Sequence, residues 1–264
     1  DGYYATELAP GLFRIYASLE GHVTLDADGR PRAGRPDIEA LVQVAGGGVP
    51  TTIDFALPRG GAIAGHVTTS AASHTVTVFD ALGRTAATVS SVSGEYRVDG
   101  LPPGRYFAAS YPVLYNGIAC GPGYRCSVPV TSGAPITIAG TETASGVDFV
   151  IPATGRIFGS VKSDFGSNDL AGVVVHLHDA SGREIFSTTS AFSFDSPAYE
   201  ITLVAPGTYF ARTSNAGGYG DVLYGGAPCP AGACDVTSGT PIVVSADAST
   251  QVDFFLPSST CRTI

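Results

Sequence analysis

The sequence has no methionine, no tryptophan and a single lysine, Lys162. Charged residues make up only 14% of its 264 residues, and the formal net charge is −9. Nucleic acids bind to basic stripes, and anionic membranes attract clusters of lysine and arginine. This charge balance therefore argues against nucleic acid as a partner, and equally against anionic lipid.

Long hydrophobic runs are absent as well. No apolar stretch reaches the roughly 18 residues of a membrane-spanning helix, so we expect no membrane insertion. The chain opens at Asp1 without an initiator methionine or a signal peptide, and we expect a processed or truncated product. The low charge favours a folded chain, and the 34 glycines and 18 prolines are typical of short strands joined by turns.

Recognisable catalytic and metal-binding motifs are also missing. His176 and His178 share a face of one predicted strand, but no third ligand supports a metal site, so a solvated strand face is favoured. The stretch Asp26-x-Asp28-Gly resembles the start of a calcium loop but lacks the later carboxylates, so a plain hairpin is favoured. We predict a protein that is not an enzyme, with no catalytic residues, no metal and no cofactor.

Four of the five cysteines form close pairs, Cys120 with Cys126 and Cys229 with Cys234. Local disulfides are favoured over a metal site or free thiols, because a metal needs converging ligands and the histidines are scattered. Disulfides predict an extracellular or periplasmic location. Cys261 has no neighbour in the sequence, and we consider it for an intermolecular bond.

An internal repeat organises the chain. Each copy has a tyrosine eight residues before the glycine of a Pro-Gly turn, then a loop, and ends in an apolar residue followed by Asp-Phe-x-x-Pro. The copies run from Tyr96 to Pro152, from Tyr199 to Pro257 and, in part, from Tyr3 to Pro58.

The repeat and the apolar alternation predict an all-β fold of tandem Greek-key β-sandwiches. No stretch has a convincing helical period. We predict a partial sandwich at 1–58, which is the second half of a repeat, a complete sandwich at 59–152, and another at 153–264 that ends in a short tail.

Both complete copies share one series of motifs: Gly-x-Val, Asp-x-x-Gly, a tyrosine, and Pro-Gly-x-Tyr. They are carried by Gly65, Val67, Asp80, Gly83, Tyr96, Leu101, Pro102, Pro103, Gly104 and Tyr106, and by Gly159, Val161, Leu170, Gly172, Val173, Asp179, Gly182, Tyr199, Pro206, Gly207 and Tyr209. This series resembles the carboxypeptidase regulatory-like, or prealbumin-like, β-sandwich and the related Cna-B modules of bacterial surface proteins. The resemblance implies a seven-stranded Greek-key sandwich, and it says little about activity because the family is functionally plural.

Some Cna-B modules form an isopeptide bond between a lysine and an Asn or Asp, helped by a buried acid. The resemblance would assign these roles to Lys162, Asp253 and Glu200. Lys162 directly follows the inward Val161, so we expect it to face solvent and we disfavour the bond.

Two further expectations concern residues at repeated positions. Tyr96 and Tyr199 should each bury a ring and place the hydroxyl on backbone near the following turn. Asp54, Asp148 and Asp253 share one position, where a carboxylate can bond backbone amides. An outward-facing aspartate beside an inward phenylalanine is favoured instead.

Aromatic-rich loops provide the candidate contact residues. Tyrosines in disulfide-held loops can form a surface for carbohydrate or protein, or can equally pack over a sandwich end as a lid. The candidates are Tyr111, Tyr115, Tyr124, Tyr219 and Tyr224.

The favoured interpretation is a non-catalytic, extracellular structural protein, secreted by a bacterium and built into a surface stalk, adhesin or filament. Its expected partners are head-to-tail copies or neighbouring domains of one precursor, because a half sandwich exposes an apolar face and open edges. The alternative is a ligand-binding accessory region of a larger secreted hydrolase or receptor, with glycan as the ligand.

Overall fold

The computed structural model describes residues 2–32, 40–47, 50–69, 73–123, 126, 128–164, 169–192 and 197–258. Two candidate residues, Tyr124 and Cys261, lie outside the described residues. The chain divides into two compact units. The first contains residues 1–118 and 128–151, and the second contains residues 119–127 and 152–264.

Short strands are the main regular structure of the described chain. Up to residue 150 they are β1 (Gly11–Arg14), β2 (Tyr16–Ala17), β3 (Leu25–Asp26), β4 (Leu41–Val44), β5 (Gly61–Thr68), β6 (Thr75–Phe79), β7 (Thr85–Ser90), β8 (Glu95–Leu101), β9 (Gly104–Ser110), β10 (Val113–Leu114), β11 (Ile118–Ala119), β12 (Ile136–Ile138), β13 (Thr143–Ala144) and β14 (Phe149–Val150). They continue with β15 (Gly155–Gly159), β16 (Val161–Ser163), β17 (Val174–His178), β18 (Glu184–Thr189), β19 (Tyr199–Val204), β20 (Gly207–Ser214), β21 (Ile242–Val244), β22 (Ser249–Gln251) and β23 (Phe254–Leu256). The helices are 3-10 turns, η1 (Val130–Ser132), η2 (Pro230–Gly232) and η3 (Val236–Ser238).

The predicted turn at Asp80 illustrates why the chain reverses where it does. Gly83 has a φ of 77°, which favours glycine, and its amide donates to the Asp80 carbonyl. The Asp80 carboxylate accepts from the amides of Leu82 and Arg84. The same Asp-x-x-Gly turn follows β17 at residues 179–183.

The first complete sandwich has two sheets. In one, β5 lies between antiparallel β8 on one edge and parallel β13 and β14 on the other. The other has the order β11-β10-β9-β6-β7, with β12 also paired to β9. Buried residues from both sheets form one core, including Ile63, Val78, Val98, Ala108 and Phe149.

The second complete sandwich repeats this topology. β15 and β16 together take the place of β5, paired in parallel with β22 and β23, and β19 pairs antiparallel with β15. The opposite sheet has the order β18-β17-β20-β21. Its core includes Ile157, Leu177, Ile201, Ala211 and Phe254. The predicted all-β Greek-key architecture is therefore confirmed.

The described residues before Arg59 contain four short strands, which pair as in one part of such a sandwich. β1 pairs with β4, and Gly11 faces Val44 just as Gly104 faces Ile138. β2 pairs with β3, and the turn after β3 is the plain hairpin predicted at Asp26. The described residues contain no helix long and apolar enough to cross a membrane.

Candidate functional site

A buried tyrosine connects three strands in the second complete sandwich. The Tyr199 hydroxyl, on β19, donates to the Val252 carbonyl between β22 and β23 at 2.5 Å. The Tyr199 ring lies 6.2 Å from the ring of Phe254 and is only 4% exposed. Burial raises the pKa of Tyr199, and the nearby carboxylate of Asp253 raises it further. The hydroxyl is therefore a permanent hydrogen-bond donor.

Strand β15, which pairs with β19 and places Gly159 opposite Tyr199, lies very close to the Val252 carbonyl. A Cβ atom on Gly159 would lie 1.9 Å from the Val252 carbonyl oxygen, so only glycine fits there. The next amide, that of Ser160, donates to the Asp253 carboxylate at 2.8 Å. This carboxylate bridges the break between β15 and β16. We call the tyrosine, the glycine and the aspartate the clamp.

The first complete sandwich contains the same clamp. The Tyr96 hydroxyl donates to the Val147 carbonyl at 2.6 Å, and the His66 amide donates to the Asp148 carboxylate at 2.8 Å. A Cβ atom on Gly65 would lie 2.1 Å from the same carbonyl oxygen. Asp148 is exposed and Asp253 is half-buried, each beside a buried phenylalanine, as the favoured expectation had it. Each carboxylate also binds a backbone amide, which was the other expectation for this position.

The predicted hydrogen bond near the following turn is made by a different tyrosine. Tyr96 reaches a carbonyl 51 residues further along the chain. The turn is instead held by Tyr106, whose hydroxyl donates to the Pro102 carbonyl at 2.6 Å, and by Tyr209, which donates to Ala205 at 2.8 Å. Burial raises the pKa of Tyr106 to about 12. In the sequence, the Pro-Gly-x-Tyr motif is the pattern that could have identified this hydrogen bond across the turn.

The partial sandwich contains a clamp tyrosine that the repeat spacing did not identify. The Tyr4 hydroxyl donates to the Ile53 carbonyl at 2.7 Å, and the Tyr4 and Phe55 rings lie 6.4 Å apart. Tyr3, which has the spacing of the other copies, is 94% exposed. The segment before the Pro-Gly turn is thus one residue shorter here.

The candidate loop tyrosines pack against the sandwich cores where the structure describes them. Tyr115 meets Phe149 edge-on at 6.2 Å, and Tyr224 meets Phe254 in the same way at 6.1 Å. Tyr219 also packs against the core of its own sandwich. Tyr111 is half-buried, and burial raises its pKa. Tyr115, Tyr219 and Tyr224 thus pack against a core, and both alternatives for the loops, a contact surface and a lid, stay predictions.

Both predicted cysteine pairs are joined in the structure. Cys120 bonds to Cys126 and Cys229 to Cys234, and Cys120 and Cys229 are almost completely buried. Residues 119–127 belong to the second compact unit, where the Gly123 amide donates to a backbone carbonyl of β19. Each disulfide closes a loop of only a few residues, so it restrains the loop more than the whole fold.

The two strand histidines are less exposed than expected. His178 is 5% exposed, its Nδ1 lies 3.0 Å from the Gly182 carbonyl, and burial lowers its pKa. His176 lies between Glu184 at 3.1 Å and Ser214 at 2.8 Å. The expectation of a solvated strand face is therefore wrong for His178. No group of three metal-binding side chains occurs among the described residues.

Two of the three residues considered for an isopeptide bond have other partners. Asp253 accepts hydrogen bonds from Ser160 and, at 2.8 Å, from the side chain of Gln251. Glu200 forms an ion pair with Arg156 at 2.8 Å. Lys162 is half-buried and follows the fully buried Val161.

The fold and these sites define an all-β protein of tandem Greek-key sandwiches, the first of them incomplete. No protein-family model matches the chain, and no curated protein matches it significantly. Among solved structures, the chain is similar to a minor pilin of Streptococcus agalactiae, with a TM-score of 0.31 and 12% identity over 77% of this chain and 98% of that one. It is also similar to a streptococcal ancillary pilin, with a TM-score of 0.30 and 10% identity over 94% of this chain and 76% of that one. A further similar structure is the major pilin subunit of Bacillus cereus, with a TM-score of 0.29 and 9% identity over 75% of this chain and 99% of that one.

Proposed function

We propose that the chain is a non-catalytic structural subunit of an extracellular bacterial surface assembly, such as a stalk, adhesin or filament. The observation that carries the proposal is the clamp, which recurs at Tyr96 and Tyr199 with matching hydrogen bonds and, in part, at Tyr4. A chain that repeats one strand-locking device is suited to maintaining a shape.

The charged and polar side chains support the same role. The carboxylates of Asp80, Asp148 and Asp253 each accept backbone amides, so they hold a turn or a pair of strands in place. Among the described residues no metal-binding group is assembled. Two disulfides suit an oxidising, extracellular location. We propose the domain boundaries 1–58, 59–152 and 153–264 as part of this function.

The test is to find where the native protein resides. Bacteria that produce the chain are fractionated, and intact cells are labelled with antibodies and viewed by electron microscopy. We expect surface labelling on extended structures, and peptide mapping without reductant should find both disulfides. A cytoplasmic protein with free thiols would refute the proposal, and so would a turnover activity lost on one point substitution.

A further inference from the structure

The second complete sandwich buries a histidine where the first one buries a phenylalanine. His178 is the last residue of β17, as Phe79 is the last residue of β6, and a bulge precedes each of them. His178 is 5% exposed and Phe79 is 7% exposed. The two positions are therefore equivalent in the repeat, but only the histidine can take up a proton.

The hydrogen bonding of the His178 ring selects one neutral form. Its Nδ1 lies 3.0 Å from the Gly182 carbonyl oxygen, which can only accept, so Nδ1 carries the proton. Its Nε2 is buried, and no described residue forms a hydrogen bond with it. A second proton on the ring would therefore create a buried N–H group without an acceptor among the described residues, which is unfavourable.

The charges on the neighbouring strands do not compensate for that second proton. Strand pairing places Glu184 of β18 opposite His178, and Arg212 of β20 opposite His176. Arg212 and a protonated His176 repel a charge on His178, whereas Glu184 attracts it. The Glu184 carboxylate is already shared, because it lies 3.1 Å from the His176 ring and 3.6 Å from the Arg212 guanidinium. Protonation of both histidines would thus place three cations around one carboxylate.

The surroundings of the cluster strengthen this imbalance. Arg212 is largely buried and lies beside Gly232 of the disulfide loop at 229–234, so solvent screens its charge poorly. Asp179 and Arg183, in the turn after β17, form an ion pair with each other at 3.2 Å. Burial and the charge of Arg212 lower the pKa of His178 below its ordinary value of 6.5, although the hydrogen bond to Gly182 raises it.

The first complete sandwich has no ionisable side chain at the four matching positions. Strand pairing makes His176, His178, Glu184 and Arg212 equivalent to Thr77, Phe79, Thr85 and Ala109. The same fold therefore forms without this cluster. A response to acid that depends on the cluster should accordingly be confined to the second complete sandwich.

We propose that His178 makes the second complete sandwich an acid-sensitive switch, in which protonation of the buried ring releases β18 from β17. β18 is an edge strand of its sheet, so its separation from β17 is the shortest route by which water reaches the ring. The folded state favours the neutral ring, whereas the unfolded chain takes up a proton below about pH 6.5. The stability that His178 contributes is therefore complete above about pH 6.5 and is lost as the pH falls below that value.

The experiment compares the full chain with its variant His178→Phe, which introduces the residue of the first copy. Urea denaturation followed by hydrogen exchange measures each sandwich separately at pH 7 and pH 5. Between these values, the unfolding equilibrium constant of the second sandwich should rise about tenfold more in the native chain than in the variant. The amides of β18 should lose protection in the native chain only. The first sandwich, with its half-buried His74, is identical in both chains and should respond equally in both.

His176→Thr is the matched control, because it also introduces the residue of the first copy. His176 keeps polar partners in Glu184 and Ser214, so the variant should retain the acid response. NMR titration of the His178 ring in the native chain needs no variant, and the ring should stay neutral at pH 6, where an ordinary histidine is mostly charged. Titration near pH 6.5, an equal acid response in His178→Phe, or loss of the response in His176→Thr would overturn the proposal.

Discussion

Replacing Tyr199 with phenylalanine tests the clamp most directly. The substitution keeps the ring beside Phe254 and removes only the hydroxyl that donates to the Val252 carbonyl. Both residues are almost completely buried, so no water can replace the lost donor. A buried acceptor left without a partner costs about 1–3 kcal/mol, so we expect Tyr199→Phe to lower the free energy of unfolding by about that amount.

The repeat provides two matched comparisons. Tyr96→Phe should cost as much as Tyr199→Phe, because Tyr96 is equally buried and makes the same bond. Tyr4→Phe should cost under about 0.5 kcal/mol, because Tyr4 is 55% exposed and water can satisfy the Ile53 carbonyl. Urea denaturation followed by hydrogen exchange measures each sandwich separately. An equal cost at Tyr4 and Tyr199, or no cost at Tyr199, would refute the argument from burial.

Three further outcomes are expected. Asp253→Ala should lower the free energy of unfolding of its sandwich by about 1–3 kcal/mol, because the Ser160 amide loses its acceptor. Asp253→Asn keeps an acceptor oxygen and should cost less. Chemical denaturation measures both variants. The pKa of Asp179 is held at about 2, chiefly by the Ser181 hydroxyl, so its contribution to stability is complete above about pH 4 and is lost as the pH falls toward 2. Thermal melts should show this loss, and Asp179→Asn should reduce it. Reducing the disulfide of the loop at 229–234 should cost about 3 kcal/mol or less, and unchanged melting on reduction would contradict a role in holding this loop.

The strands and turns could be predicted from the sequence because their signals are local. Alternation identifies a strand such as β8, where Tyr96 and Val98 are buried and their neighbours are exposed. Asp-x-x-Gly identifies the turn at Asp80 because the acceptor and the positive φ lie within four residues. The repeat then transfers each local assignment to the corresponding copy.

The clamp could not be predicted because its partners are distant in the chain. The acceptor of Tyr199 lies 53 residues away, and the amide that Asp253 binds lies 93 residues away. The motifs identified these residues as repeated, but only the packing of the strands reveals which atoms meet. His178 escaped prediction for another reason: a bulge after Leu177 interrupts the alternation, so two consecutive residues are buried.

From the position of the clamp we expect a sandwich of this kind to resist tension through hydrogen bonds between neighbouring strands. The chain enters the second complete sandwich through β15 and β16 and leaves it through β23, which is the parallel neighbour of β16. Pulling the two ends apart slides these strands past each other, so their hydrogen bonds are loaded together and do not open one by one. The hydroxyl of Tyr199 and the carboxylate of Asp253 lie within this loaded region, at the break between β22 and β23. An isopeptide bond would join the same strands covalently. In this chain, the hydrogen bonds of Tyr199 and Asp253 lie between those strands, beside the buried ring of Tyr199. The first complete sandwich has the same arrangement between β5 and β14.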